Sequence, residues 1–77
     1  MTSSEFLAEI ETIVETPSGT LSMDSQLQSL DGWDSMAVLG FIAMADASFG
    51  TAVSAIQISK CKTIADLAGL FPGKVGV

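Results

Sequence analysis

The segment from Ser35 to Phe49 constrains the fold most, because it is apolar on nearly every side and holds only one charged residue, Asp46. At about 100° per residue, a helix divides it into two apolar faces. The first face carries Val38, Phe41, Ile42, Ala45 and Phe49, and the second carries Met36, Leu39, Gly40, Ala43 and Ala47. Such a helix is buried by its neighbours or presents a binding surface. Full burial is difficult in a chain of 77 residues, so the second face is expected to be a contact surface.

Both ends of this segment carry signals of helix boundaries. Asp34 precedes it, and Asp and Ser are preferred N-cap residues. Gly50 follows it, and glycine readily takes the left-handed conformation that often ends a helix. The sequence therefore predicts a central helix over Ser35 to Phe49.

A first helix is predicted from Ser3 to Glu15. Thr2 and Glu5 fit a capping box, in which a hydroxyl and a carboxylate accept hydrogen bonds from the free N–H groups of a helix start. Pro17 ends this helix because it lacks an N–H donor. The stripe expected to face the core is Phe6, Leu7, Ile10, Ile13 and Val14, and the acids expected to face water are Glu9, Glu11 and Glu15.

Two further helices are predicted in the C-terminal half. Ser54 can cap a short one that runs through Lys60. Thr63 and Asp66 form a second capping-box pattern, and the apolar stripe that follows it ends at Phe71.

The connection between the first and central helices, residues 20–34, is long but not featureless. It is expected to be anchored to the core by Leu21, Leu27, Leu30 and Trp33. Asp24 is expected to cap a short helical turn through Leu30. The sequence thus predicts an all-α fold, a small antiparallel bundle of three main helices plus a short extra one. It forms one domain over residues 1–77, ordered over about 3–71 with a flexible tail at 72–77.

Charge and composition exclude several classes of function. The chain has three Lys or Arg residues against nine Asp or Glu residues and no His, for a formal charge of −6. Three lysines cannot form the basic surface that nucleic acids require, and an anionic membrane repels an acidic chain. Without His, nucleophilic catalysis lacks its usual base, so no enzyme activity is expected. The sequence has no group of Cys and His residues that could bind a metal, so no metal site is predicted.

Cysteine usage and the N-terminus bear on location. Cys61 is the only cysteine and has no internal partner for a disulfide, and residues 1–5 show neither a basic region nor an apolar run. The chain is therefore expected in the cytoplasm and not inserted in a membrane. Cys61 is expected to be a small buried hydrophobe, and Trp33 to anchor the long connection.

The most informative stretch is residues 30–36, Leu-Asp-Gly-Trp-Asp-Ser-Met, with Ser35 at the start of the central helix. The free N–H groups and the helix dipole favour an anion there by about 0.3–1 kcal/mol. A phosphoester on Ser35 would be well placed. On these residues alone, the simpler interpretation is that Asp34 or Ser35 is only an N-cap.

The chain as a whole resembles an acyl carrier protein. The resemblance covers roughly residues 3–71 and depends on the motif at residues 34–36, its position in a chain of this length, the acidic composition and the order of helices. It implies that Ser35 carries a 4′-phosphopantetheine arm, which a magnesium-dependent phosphopantetheinyl transferase installs from coenzyme A. Acyl groups would be attached to the thiol of that arm as thioesters. Asp34 would contribute to recognition by the transferase or to its metal site, and Cys61 would lie near the entry of an acyl chain.

The resemblance also implies partners, namely acyl-loading, synthase or acyltransferase enzymes of fatty-acid, polyketide or related lipid biosynthesis, and a monomeric carrier. Carriers of the housekeeping fatty-acid type usually place several carboxylates along the second helix, whereas this chain has only Asp46 there. Docking is therefore expected to depend on close apolar contact more than on charge. The candidate partner residues are Met36, Leu39, Gly40, Ala43, Asp46 and Ala47.

Three alternatives stay open. Peptidyl carriers commonly have Gly-Gly-His before the serine, and the residues 32–34, Gly-Trp-Asp, lack that His, which favours the acyl type. A D-alanyl carrier can also read Asp-Ser-Met. From a different class, an unmodified helical adaptor would use the second apolar face of the central helix to bind a protein.

Overall fold

The computed structural model describes residues 1–76 and contains, over that range, four α-helices and no strand. The helices are α1 at Ser3–Ile13, α2 at Ser35–Phe49, α3 at Ala55–Ser59 and α4 at Ile64–Ala68, with a 3-10 helix at Leu27–Ser29 in the connection before α2. The predicted all-α fold is confirmed. None of the helices in this range is both long enough and apolar enough to cross a membrane.

The start of α1 follows the predicted capping box. The Glu5 N–H donates to Thr2 Oγ1 at 3.1 Å, and the Thr2 N–H donates to Glu5 Oε1 at 2.8 Å. The latter bond lowers the pKa of the Glu5 carboxyl, because it stabilises the charged form. The helix ends at Ile13, before the predicted end at Glu15. Glu15 has a φ of 57°, which a helix cannot include.

The central helix α2 has the predicted bounds. Asp34 Oδ1 accepts a hydrogen bond from the Ala37 N–H at 3.0 Å, and Gly50 ends the helix in the left-handed conformation with a φ of 62°. The side chains that α2 buries are those of Ala37, Phe41 and Ala45. The first apolar face is thus centred nearer to Ala37 than the sequence pattern indicated, and Val38 and Ile42 are half-buried at its edge.

The short helix α3 begins at a capping box that pairs Ser54 with Gln57. Ser54 Oγ accepts from the Gln57 N–H at 3.2 Å, and the Ser54 N–H donates to Gln57 Oε1 at 2.9 Å. Ile58 is the residue that α3 buries. The predicted cap at Ser54 and the predicted end near Lys60 agree with this geometry.

The predicted capping box of Thr63 and Asp66 begins α4. Asp66 Oδ2 accepts from the N–H groups of Lys62 at 2.9 Å and Thr63 at 3.2 Å. These two bonds, that of Lys62 first, lower the pKa of the Asp66 carboxyl. The helix ends at Ala68 and not at the predicted Phe71, which lies in the following turns and is buried.

The connection before α2 is ordered by backbone hydrogen bonds to the start of α4. The Leu27 N–H donates to the Lys62 carbonyl at 2.8 Å, and the Ala65 N–H donates to the Met23 carbonyl at 2.9 Å. The predicted helical turn capped by Asp24 is wrong. The turn present is the 3-10 helix, whose N-cap residue Gln26 makes no side-chain cap.

The core gathers around the ring of Phe41 in α2. Phe6 packs against it edge-on with ring centroids 6.0 Å apart, Trp33 does so at 6.2 Å, and Phe71 lies tilted at 5.9 Å. The remaining buried apolar side chains surround this aromatic cluster, namely Ile10, Val14, Leu21, Leu27, Ala37, Ala45, Val53, Ile58, Ile64 and Leu67.

The C-terminal segment contacts the start of α1. Ser3 Oγ donates to the Gly76 carbonyl at 2.7 Å, and the Gly76 N–H donates to the Met1 carbonyl at 2.9 Å. Residues 74–76 of the predicted tail therefore have partners that the sequence pattern did not indicate. The flexibility of residues 72–77 stays a prediction, and Val77 lies outside the described residues.

Glu11 is the buried charged residue of this fold. Only 5% of it is exposed, although the helical pattern placed it on the water side. Its Oε2 accepts a hydrogen bond from the Leu21 N–H at 3.1 Å. The carboxylate thus links the beginning of the long connection to α1. This contact is the reason why Glu11 is buried and does not face water.

We expect Glu11→Ala to lower the free energy of unfolding by about 1–3 kcal/mol, because the buried Leu21 N–H loses its acceptor. Urea denaturation followed by circular dichroism measures this change. Glu9→Ala, an exposed change on the same helix, serves as the control and is expected to stay within about 0.5 kcal/mol of wild type. Equal stability of the two variants would contradict the role assigned to Glu11.

Candidate functional site

Ser35 is the first residue of α2, and its side chain is exposed. The N-cap is Asp34, whose carboxylate accepts the Ala37 N–H at 3.0 Å. The cap therefore does not use the Ser35 hydroxyl. The first N–H groups of a helix have no partner within it, so the hydroxyl lies where partial positive charge favours an anionic ester.

Gly32 fixes the path of the chain into this site. A β-carbon on Gly32 would lie 2.3 Å from the carbonyl oxygen of Val14 and 2.9 Å from its β-carbon. No side chain fits in that space, so glycine is required for the connection to approach the end of α1 so closely. The approach sets where Asp34 and Ser35 enter α2.

An apolar cavity of about 520 Å³ opens beside Ser35, which lines it. The other lining residues come from the connection, from α2 and from the segment that includes α3. Most of them are apolar, namely Leu27, Trp33, Val38, Leu39, Ala55 and Ile58, and the remaining ones are Gln28, Ser59 and Cys61. The site thus combines an exposed hydroxyl with an apolar space at its side.

Cys61 lines this cavity and is half-buried, less enclosed than the sequence indicated. Its thiol donates a weak hydrogen bond to the Gln57 carbonyl at 3.6 Å. Burial, and then the negative charge of Asp66, raise the pKa of the Cys61 thiol. The group therefore stays protonated at neutral pH, which suits a wall of the cavity better than a nucleophile.

The second apolar face of α2 lies largely in solvent. Met36 is 73% exposed and Leu39 is 60% exposed. Ala43, Asp46 and Ala47 are exposed as well. These residues form one continuous surface on α2 that begins beside Ser35, and we call it the α2 face.

Gly40 differs from the other predicted partner residues. It is half-buried, and a β-carbon there would lie 3.7 Å from the Ile13 side chain, at ordinary contact distance. It therefore lies at the edge of the α2 face, on the side that meets α1. The contribution of Gly40 is to helix packing as much as to an open surface.

Few charged residues lie at the α2 face and the cavity: Asp46 is the one charged side chain of that face, and no charged residue lines the cavity. Four of the acids lie at positions 5, 9, 11 and 15, and residues 47–65 contain none. Lys60 and Lys62 are exposed just beyond α3. No group of His, Cys, Asp and Glu that could hold a metal ion occurs among residues 1–76.

The fold and this site define a small helical domain that presents Ser35, at the start of α2, beside an apolar cavity. Residues 4–71 match the family model of the phosphopantetheine attachment site, and the chain belongs to that family. Its members attach 4′-phosphopantetheine covalently to a serine and interact with a phosphopantetheinyl transferase and synthase enzymes. The protein is therefore a phosphopantetheine carrier. No curated protein and no solved structure matched it.

The residues present fit this prosthetic group. The hydroxyl of Ser35 is accessible and is not used to cap α2, while the helix start favours the charge of a phosphodiester. The cavity at its side offers apolar walls to whatever the group carries. When bound, the group supplies a thiol for thioester chemistry.

Two features of the site were not found from the sequence. The cavity depends on how three separate segments meet, and no local pattern encodes that. The close approach of Gly32 to Val14 also depends on tertiary packing. The sequence signal for this close approach is the glycine between Asp31 and Trp33, in a connection that several apolar residues are expected to hold against the core.

We expect Gly32→Ala to destabilise the protein by about 1–3 kcal/mol, because the added methyl group collides with backbone that cannot move aside easily. Gly40→Ala is the matched control. It adds the same methyl group at contact distance inside a helix, where alanine is favoured, and is expected to stabilise by about 0.5–1 kcal/mol. Thermal unfolding of both variants measures the two changes in stability, which are expected to have opposite signs. A Gly32→Ala variant as stable as wild type would contradict the proposed close packing.

Proposed function

We propose that Ser35 carries the 4′-phosphopantetheine arm and that the protein holds acyl intermediates on it as thioesters. It presents them to enzymes of fatty-acid, polyketide or related lipid biosynthesis, in the cytoplasm and as a monomer. The observation that carries this proposal is the exposed Ser35 hydroxyl at the start of α2, at the edge of an apolar cavity. The family match supports a carrier in general terms.

The carrier does not modify itself in this proposal. The sequence has no His to accept the proton of the Ser35 hydroxyl and no Arg to stabilise a transferring phosphate. The transferase therefore supplies the proton acceptor and the positive charge that stabilises the phosphate. The new bond forms between Ser35 Oγ and the phosphorus next to pantetheine, the pyrophosphate bond of coenzyme A breaks, and the adenine nucleotide leaves with the electron pair.

Asp34 is proposed to take part in recognition by the transferase. Its Oδ1 is engaged by the Ala37 N–H at 3.0 Å. Oδ2 is then the oxygen proposed to contact the transferase or its magnesium ion. Asp34 would thus have two functions, to cap α2 and to orient the partner beside Ser35.

The cavity favours acyl cargo over aminoacyl or peptidyl cargo. Its walls are mostly apolar, and a charged ammonium group would lose hydration there without gaining an acidic partner. The same reasoning disfavours D-alanine. An unmodified adaptor would use the α2 face alone and would leave the Ser35 hydroxyl free.

Intact mass measurement tests the attachment. We expect incubation with coenzyme A, magnesium and a promiscuous transferase to add the mass of one phosphopantetheine to the wild type and none to Ser35→Ala. Ser48→Ala, an exposed serine at the other end of α2, should be modified like wild type. An unmodified wild type, or an adduct that survives Ser35→Ala, refutes the proposal.

Partner enzymes are proposed to dock on the α2 face, over Met36, Leu39, Ala43, Asp46 and Ala47, with Gly40 at its edge. Exposed apolar side chains next to the attachment serine support this, as does the single charge among them. Small side chains at Ala43 and Ala47 let a partner backbone approach. Binding would then bury apolar surface and depend weakly on salt.

We expect Ala43→Glu and Ala47→Glu to raise the KM of the transferase for the carrier by roughly tenfold, which corresponds to about 1.4 kcal/mol. Each places a charge and a longer side chain within the contact. Ala8→Glu adds the same group to the exposed side of α1 and should leave KM unchanged. Steady-state kinetics at moderate salt give these values. Unchanged or lower KM in the α2 variants would count against the docking proposal.

A further inference from the structure

One wall of the cavity beside Ser35 is held by the aromatic cluster. The Trp33 indole lines the cavity and packs edge-on against Phe41, with ring centroids 6.2 Å apart and an interplanar angle of 71°. Phe41 is fully buried and is itself held by other rings. The backbone of Trp33 is fixed too, because its N–H donates to the Leu30 carbonyl at 3.1 Å. This wall cannot recede without disturbing the core.

The wall that α3 contributes is held by fewer buried side chains. It includes Ala55, Ile58 and Ser59 from α3, a helix of five residues. Within α3 only Ile58 is buried, and Ala55 and Ser59 are exposed. A helix attached by one buried side chain can shift at a smaller cost than a ring inside an aromatic cluster. The space can therefore widen on the α3 side, while the indole side keeps its shape.

We infer that Trp33 is the specificity-determining residue of this carrier, an inference that rests on the proposed function. The indole gives the cavity a flat, fixed wall that accepts a linear aliphatic chain and limits the length and branching of the cargo. The neighbouring Val38 and Leu39 complete an apolar slot that begins at Ser35. Each methylene that a linear chain buries raises the ratio of cavity-bound to free chain by about fourfold, until the slot is full.

The intrinsic fluorescence of Trp33 tests this inference in the wild-type protein. Trp33 is the only Trp and the chain has no Tyr, so the emission comes from the cavity wall alone. Loading Ser35 from a series of linear acyl-coenzyme A thioesters, acetyl to dodecanoyl, is checked by intact mass. We expect quenching of Trp33 by acrylamide to fall as the chain lengthens and then to level off. A branched chain with the same number of carbons should protect the indole less.

A variant pair tests selectivity without relying on fluorescence. In wild type, cleavage of the thioester by hydroxylamine should slow by up to about fourfold per methylene and reach a plateau. Trp33→Leu should move the plateau to longer chains and protect branched ones. Phe49→Leu is the matched control, because Phe49 packs on Phe71 with centroids 4.6 Å apart and does not line the cavity. Its plateau should remain that of wild type.

The outcomes separate this inference from the function on which it rests. A loaded wild type whose quenching is the same for every chain overturns the role of Trp33 and leaves the carrier function standing. An unshifted plateau in folded Trp33→Leu overturns it as well. Failure to load Ser35 at all overturns both. If Trp33→Leu does not fold, the quenching series on wild type decides.

Discussion

The contact of three aromatic rings with Phe41 is the interaction on which the rest of the structure depends. Phe6 of α1, Trp33 of the connection and Phe71 of the C-terminal segment all lie within 6.2 Å of it, measured between ring centroids. One residue of α2 thus joins α1, the connection and the C-terminal segment in a chain too short for a second core. The candidate site inherits its rigidity from this cluster, since Trp33 belongs to both.

The long connection reaches the site along two fixed points on α1. Glu11 accepts the Leu21 N–H at the beginning of the connection, and Gly32 lies against Val14 near its end. The first contact is on the C-terminal half of α1, and the second is at its C-cap, Val14. The chain between them is held as well, by the backbone hydrogen bonds of Leu27 and Met23 to the segment at the start of α4. The whole connection therefore fixes the entry to Ser35. If Ser35 is the attachment site, as proposed, such an entry presents it to a partner enzyme in one orientation.

Local chemistry made much of the fold predictable from the sequence. Capping boxes at Thr2 and Thr63, the cap at Ser54 and the glycine at position 50 depend on residues a few positions apart, and each appears as expected. The burial of Glu11 was missed, because its partner, the Leu21 N–H, lies in another element. The family was recognised by a resemblance that depends on the motif at residues 34–36 and on its position in the chain. The cavity could not, since its walls meet only after folding.

The distribution of charge affects the approach of a partner more than the contact that it makes. A formal charge of −6 acts on a cationic partner over about 8–10 Å at physiological salt, wherever on the carrier the acids lie. On the proposed docking surface a partner would meet Met36 and Leu39, and Asp46 is the one charged side chain of the α2 face. Attraction can therefore speed encounter without fixing the bound orientation. If partners dock there as proposed, their orientation depends on apolar fit around Ser35, and a partner with a basic surface that fits poorly would meet the carrier often and leave it quickly.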